Sequence, residues 1–161
     1  MVAMKTIPLT RGLVALVDDE DYDLVSQFKW CASQTTPPGK YYAARGIRRG
    51  GKPTSILMHN VIMGALYIDH RDNDGLNNQR SNLRRATGTE NKQNSRKRSD
   101  QCSSRWKGVC WNKKSKKWHA TITINRKARS LGTYSDEASA ATAYNIMAHH
   151  FFGEFALFNR P

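Results

Sequence analysis

The sequence predicts an α+β chain of two modules. A small β-rich N-terminal part leads into a strand, loop, strand, helix unit, and a three-stranded antiparallel sheet packed on one helix follows. Three observations predict it. Trp118, Ala120, Ile122 and Ile124 alternate with His119, Thr121, Thr123 and Asn125, the period of a half-buried strand. Asp72-Asn73-Asp74-Gly75 is dense in turn formers between two strand-like runs. Thr87-Gly88-Thr89-Glu90 matches a capping box, in which a Thr hydroxyl and a Glu three positions later satisfy the first free amides of a helix.

From the N-terminus, Ile7 to Thr10 and Leu13 to Val17 flank Arg11-Gly12 and read as a hairpin. Asp19, Asp21 and Asp23 imitate the start of a calcium loop. Leu24 stands where its sharp turn needs Gly, and Trp30 where a bidentate Glu is needed, so that reading fails. Acids ahead of Leu24, Val25 and Phe28 suit the first turn of a short helix, where they oppose its dipole. Thr36-Pro37-Pro38-Gly39 is a loop. Tyr41 to Arg45 and Thr54 to Met58 read as strands around Arg48-Arg49-Gly50-Gly51, the second leading into Met58-His59-Asn60. Leu66-Tyr67-Ile68 reads as the next strand, Asn82 to Ala86 as its return, and the helix after Thr87 presents Asn91 from its first turn.

The stretch Tyr67 to Asn94, with Asp69-His70, Ser81-Asn82-Leu83-Arg84 and Glu90-Asn91, resembles the HNH nucleases of the ββα-metal class, most closely the phage and intron-encoded homing endonucleases. Phosphodiester hydrolysis needs a base to deprotonate water, a group to orient that base, and a cation to neutralise charge on the phosphate and leaving oxygen. Carried over by resemblance, His70 is the general base and Asn82 the side chain that holds its imidazole in the productive tautomer. Asp69 and Asn91 are the metal ligands. Two oxygen ligands, with water and phosphate completing the shell, suit one Mg²⁺ or Mn²⁺ per active site. Many of these enzymes have a similar lead-in ending in His-Arg; here it is His59-Asn60, and His59 is a possible further catalytic or phosphate-contacting group, as is Arg84.

Residues 95–104 are polar and aperiodic, a basic linker between an N-terminal domain 1–94, whose nuclease core is 56–97, and a domain 105–161. In the latter, Lys107-Gly108-Val109, a lysine-rich turn, the alternating strand and Arg129 to Tyr134 give three strands. Ser135-Asp136-Glu137 caps a helix whose small-residue face is Ala138, Ala141, Ala143-Tyr144 and Met147. Lys107-Gly108-Val109, Trp118 to Ile122, Leu131 to Tyr134, Ala140 to Tyr144 and Gly153 to Ala156 resemble the plant ethylene-response-factor (APETALA) DNA-binding domain. That resemblance implies a sheet in the major groove whose polar face reads bases. Lys107, His119, Thr121 and Thr123 map to that face, and Trp111, Lys113, Lys114, Lys116, Lys117 and Arg129 add to the DNA-binding set. Cys110 and Thr123 stand where the plant pattern has arginines, so its base preference does not carry over.

Charge supports the same partner. The 161 residues carry a net charge of +13. Arg84 to Arg129 hold fifteen Lys and Arg against Glu90 and Asp100, so the whole surplus lies in that stretch, interleaved with Trp106, Trp111 and Trp118. Such a footprint points to nucleic acid and not to a membrane, because these lysines fall in strand and loop patterns; double-stranded DNA as the partner is what the two resemblances imply. Three cysteines and no secretory segment lead us to expect reduced thiols and a cytoplasmic protein of phage or bacterial type. A zinc site from Cys102, Cys110 and His119 lacks a fourth ligand and a CxxC-like pair. The expectation is a metal-dependent DNA endonuclease of the HNH homing type, monomeric or a DNA-assembled dimer, with recognition largely in the C-terminal sheet and linker. A DNA-binding regulator with a relic nuclease unit is the first alternative. A basic RNA-binding protein is disfavoured, because the aromatics form no stacking platform.

Overall fold

The structure, a computed structural model, describes residues 3–34, 40–97 and 103–161. The Thr36 to Gly39 loop and Cys102, and with Cys102 the zinc reading, lie outside the described residues. Two units are formed, Met1–Gly88 and Thr89–Pro161. Among the described residues the antiparallel sheets are small and four α-helices accompany them, an α+β arrangement. Among the described residues, no helix is long and apolar enough to cross a membrane.

In the first unit, β1 (Met4–Pro8) and β2 (Val14–Asp18) form the expected hairpin, with Ile7 paired to Ala15. Asp19, Glu20 and Asp21 occupy the first turn of α1 (Asp19–Ser26), where their charges meet the positive end of the dipole. Next come β3 (Cys31–Gln34), β4 (Tyr41–Arg49) and β5 (Lys52–Leu57), a sheet in the order β3-β4-β5. The chain then departs from its expected course. Met58 does not extend a strand; it begins α2 (Met58–Met63), which ends on Gly64 at φ +55°. Leu66 and Tyr67 lie exposed outside β6 (Ile68–His70), Tyr67 at φ +60°. The return strand is β7 (Leu83–Arg85), in antiparallel register Ile68 to Arg85, Asp69 to Arg84 and His70 to Leu83.

These pieces share one core, in which Ile7, Val17, Val25, Trp30, Met58, Ile62, Ile68 and Leu83 are buried together. The Trp30 indole is buried with them and donates Nε1–H to the Val25 carbonyl at 2.8 Å, which satisfies its polar atom. The loop between β6 and β7 is tied to the N-terminal hairpin. Leu16 bridges Asn77, Asn78 N–H donates to Leu16 O at 2.8 Å, and Arg80 reaches Asp21 with Nε at 2.8 Å and Nη2 at 2.7 Å.

The second unit takes in α3 (Gly88–Asn94) from Thr89 onward. Beyond it, β8 (Val109–Asn112), β9 (Lys117–Ile124) and β10 (Lys127–Tyr134) form a sheet in the order β10-β9-β8, and α4 (Glu137–Phe152) covers one face. Asp136 caps α4 by accepting Ser139 N–H at 2.7 Å. The buried helix face is Ala140, Ala141, Tyr144, Ala148 and Phe152; Ala138, expected on it, is exposed. Gly108 sits at φ +73° against Tyr144 and the Thr121 carbonyl, and a Cβ there would clash with both.

Candidate active site

The antiparallel pairing of β6 and β7 brings Asp69 and Arg84 face to face. Arg84 places Nε at 3.0 Å and Nη2 at 2.8 Å from the same Asp69 oxygen, Oδ2, and both side chains are buried. Pairing of this kind is what permits two charges in a low-dielectric interior. His70, the last residue of β6, is buried at 2% exposure. Its ring centroid lies 4.8 Å from that of His59, edge to face, and 5.5 Å from that of Tyr42, which is itself 5.8 Å from His59. A cluster of three rings results, drawn from β4, α2 and β6.

Burial governs the titration of both imidazoles. Desolvation pushes His59 down to about 3, with the charges of His70 and Lys40 adding to the effect. His70 is also held below its ordinary 6.5, chiefly by burial, against the opposing influence of the neighbouring Asn78 amide. Both rings are therefore neutral near pH 7. A neutral imidazole is the form that accepts a proton.

The Asn82 side chain makes its hydrogen bonds to the loop and not, as the resemblance implies, to the imidazole. Its Nδ2 donates to Asp72 Oδ1 at 3.0 Å and to Asn77 O at 2.8 Å, and its Oδ1 accepts Asp72 N–H at 3.1 Å. Asp72 Oδ1 also accepts Asp74 N–H, and Oδ2 accepts Asn77 Nδ2. Asn82 thus braces the loop, and the amide beside His70 is Asn78, which the sequence reading missed. Gly75 packs so closely on the Tyr41 carbonyl and the Tyr42 ring that a side chain would drive Tyr42 from His70. Tyr42 gave no signal in sequence, because it lies on a strand far from the motif.

Asn91 is exposed in the first turn of α3, in the second unit. A second group of acids, Asp18, Glu20 and Asp21, lies close enough to hold an ion, but Arg80 already occupies it. Its Nε is 3.0 Å from Glu20 as well as paired with Asp21, and Asp18 accepts Arg80 N–H and Gln79 Nε2. Taken singly, the Asp69 carboxylate and the Asn91 amide oxygen are hard donors, of the kind that suits a hard divalent cation.

On β9, the strand register sets His119, Thr121 and Thr123 on the face away from α4, with Cys110 and Asn112 beside them on β8. His119 Nε2 is 2.8 Å from Ser130 Oγ. Lys113, Lys114, Lys116 and Lys117 are exposed around the turn. Trp111 and Arg129 pair directly with Trp118 and Ile122, so their parity belongs to the other face, although both are exposed. Lys107, expected on the DNA-reading face, is bonded within its own unit. It is half-buried, and its Nζ donates to the carbonyls of Lys92 at 3.1 Å, Gln93 at 2.5 Å and Ser95 at 2.8 Å, closing the end of α3. Burial pushes its pKa down to about 8.

No family model matches the chain, and no solved structure matches it. It is 31% identical over 150 residues to an uncharacterized HNH endonuclease of Acanthamoeba polyphaga mimivirus, a match that covers 93% of this chain and 76% of the relative. A paired Asp69 beside a buried His70, on strands joined by an Asn82-braced loop, together with likeness over that length, leads to one conclusion: the chain belongs to the HNH endonuclease family.

Proposed function

We propose that the protein is a metal-dependent DNA endonuclease of the homing type, which hydrolyses a phosphodiester bond at a site read by its C-terminal sheet. The observation that carries this reading is the buried, neutral His70 adjoining the Arg84-held carboxylate of Asp69. In it, the His70 imidazole takes the proton of the attacking water. Arg84 fixes the orientation of Asp69, and Asn82 keeps the loop after His70 in one conformation by bonding Asp72 near its start and Asn77 in its middle. Asp69 and Asn91 are the residues that would hold a divalent cation, which would neutralise charge on the phosphate and the leaving oxygen. Double-stranded DNA as the substrate accords with the positive surplus and with the family. The exposed polar face of β9 and the lysine-rich turn are the surfaces proposed to meet it.

The test is cleavage of supercoiled plasmid with Mg²⁺ or Mn²⁺. His70→Ala is expected to lose cleavage by on the order of 10²-fold or more with DNA affinity nearly unchanged, since the base acts in the transition state. EDTA is expected to abolish cleavage by the parent. Undiminished cutting by His70→Ala, or by the parent in EDTA, would remove His70 or the metal from the reaction.

A further inference from the structure

Lys107 and Lys97 do not behave as surface charges. Lys97, three residues past α3, sends its Nζ to the carbonyls of Trp106 at 3.0 Å and Val109 at 2.5 Å. Lys107 sends its own in the opposite direction, to Lys92, Gln93 and Ser95. The two ammonium groups form a reciprocal clasp between the last turn of α3 and the entry to β8. Its anchor is deliberate in construction. Lys107 N–H donates to Asn159 Oδ1 at 2.8 Å and its carbonyl accepts Asn159 Nδ2 at 3.0 Å, while Asn159 is itself held by Asn145 of α4 through two further bonds. Three carbonyls converge on Lys107 Nζ, and carbonyls at a helix C-terminus carry the negative end of its dipole. A seven-residue helix has little stability of its own, so the cap at its end decides how firmly it is held.

We propose that Lys107 is a positioning residue for cleavage: by clasping the last turn of α3 it fixes the helix that carries Asn91. This rests on the reading of Asn91 as a metal ligand. It also removes Lys107 from the DNA-contacting set. Loss of the clasp acts on the response to metal, not on the affinity for DNA.

The experiment uses the full chain. Lys107→Met keeps the stem and removes the donors; Lys107→Arg keeps donors; Asn159→Ala releases the backbone anchor and leaves the ammonium. Plasmid cleavage is titrated with Mg²⁺ and with Mn²⁺, and duplex DNA binding is measured against salt in EDTA. Lys107→Met should raise the half-saturating Mg²⁺ concentration by roughly tenfold or more, as loss of a group supporting a metal ligand does. Arg should restore most of it, Asn159→Ala should shift it in the same direction by less, and DNA affinity and its salt slope should stay within about twofold of the parent. If Lys107→Met does not fold, the Asn159→Ala result decides. A fall in affinity and slope that cleavage merely follows would make Lys107 a phosphate contact and overturn the proposal. So would an unchanged metal response in Lys107→Met and Asn159→Ala while Asn91→Ala weakens it. An unchanged response in Asn91→Ala overturns instead the ligand reading on which the proposal stands.

Discussion

Acid should weaken this protein through His59, and the size of the effect can be worked from its burial. His59 is 4% exposed and its pKa is pushed from 6.5 to about 3, so between those values the unfolded chain binds a proton that the folded chain refuses. Stability from this group is complete above pH 6.5 and is withdrawn as pH falls toward 3. Each pKa unit corresponds to ~1.4 kcal/mol, which gives about 5 kcal/mol over the whole interval. From pH 6.5 to 4.5 the loss is about 2 to 3 kcal/mol, or a fall in Tm on the order of 10 °C. His59→Phe fills similar space among Tyr42 and His70 and cannot titrate. Thermal unfolding followed by circular dichroism from pH 7.5 to 4.5 should show a shallower decline for the variant by roughly that amount, the carboxylates and His70 being common to both. Parallel curves would mean that His59 is not desolvated in solution and would refute the reasoning.

Arg84→Met leaves the buried Asp69 carboxylate without its guanidinium, and should cost ~3 to 5 kcal/mol in urea unfolding; a loss under about 1 kcal/mol would place the pair in water. Replacing Lys113, Lys114, Lys116 and Lys117 with Ala should flatten the slope of log K against log salt for duplex DNA by up to about 3.5, at roughly 0.9 per phosphate contact, and weaken all sequences alike. An unchanged slope would assign the lysine turn to solvent.

What could be read in advance was what local pattern encodes. The first hairpin, α1, β9 and α4 follow from alternation, acids in a first turn, and an Asp cap. Met58 to Met63 escaped because an apolar run with Val61 and Ile62 has the composition of a strand, and Gly64 was the one sign of a helix end. Asp69 and His70 were legible as a motif, since their chemistry is in their types. Asn78 and Tyr42 were not, because nearness to His70 comes from the fold. Lys107 misled for a related reason. Its partners are backbone carbonyls, which every residue possesses and no sequence pattern marks.

The ties between the β6 to β7 loop and the first hairpin bear on the order in which the nuclease unit can fold. Asp18 accepts from Gln79 and Arg80, 61 and 62 residues further along the chain, whereas Asp69 and Arg84 are 15 apart. Closing the longer loop costs only ~1.2 kcal/mol more than the shorter, because closure entropy grows with the logarithm of length. The distant contacts are therefore affordable, but they are non-local and belong to the slow part of folding. On the ribosome the hairpin and α1 emerge well before residue 80 and can stand ready as a template. A fragment beginning near residue 56 would contain Asp69, His70, Asn82 and Asn91, yet it would lack the carboxylates of Asp18 and Asp21 and the Leu16 backbone against which their loop is shaped.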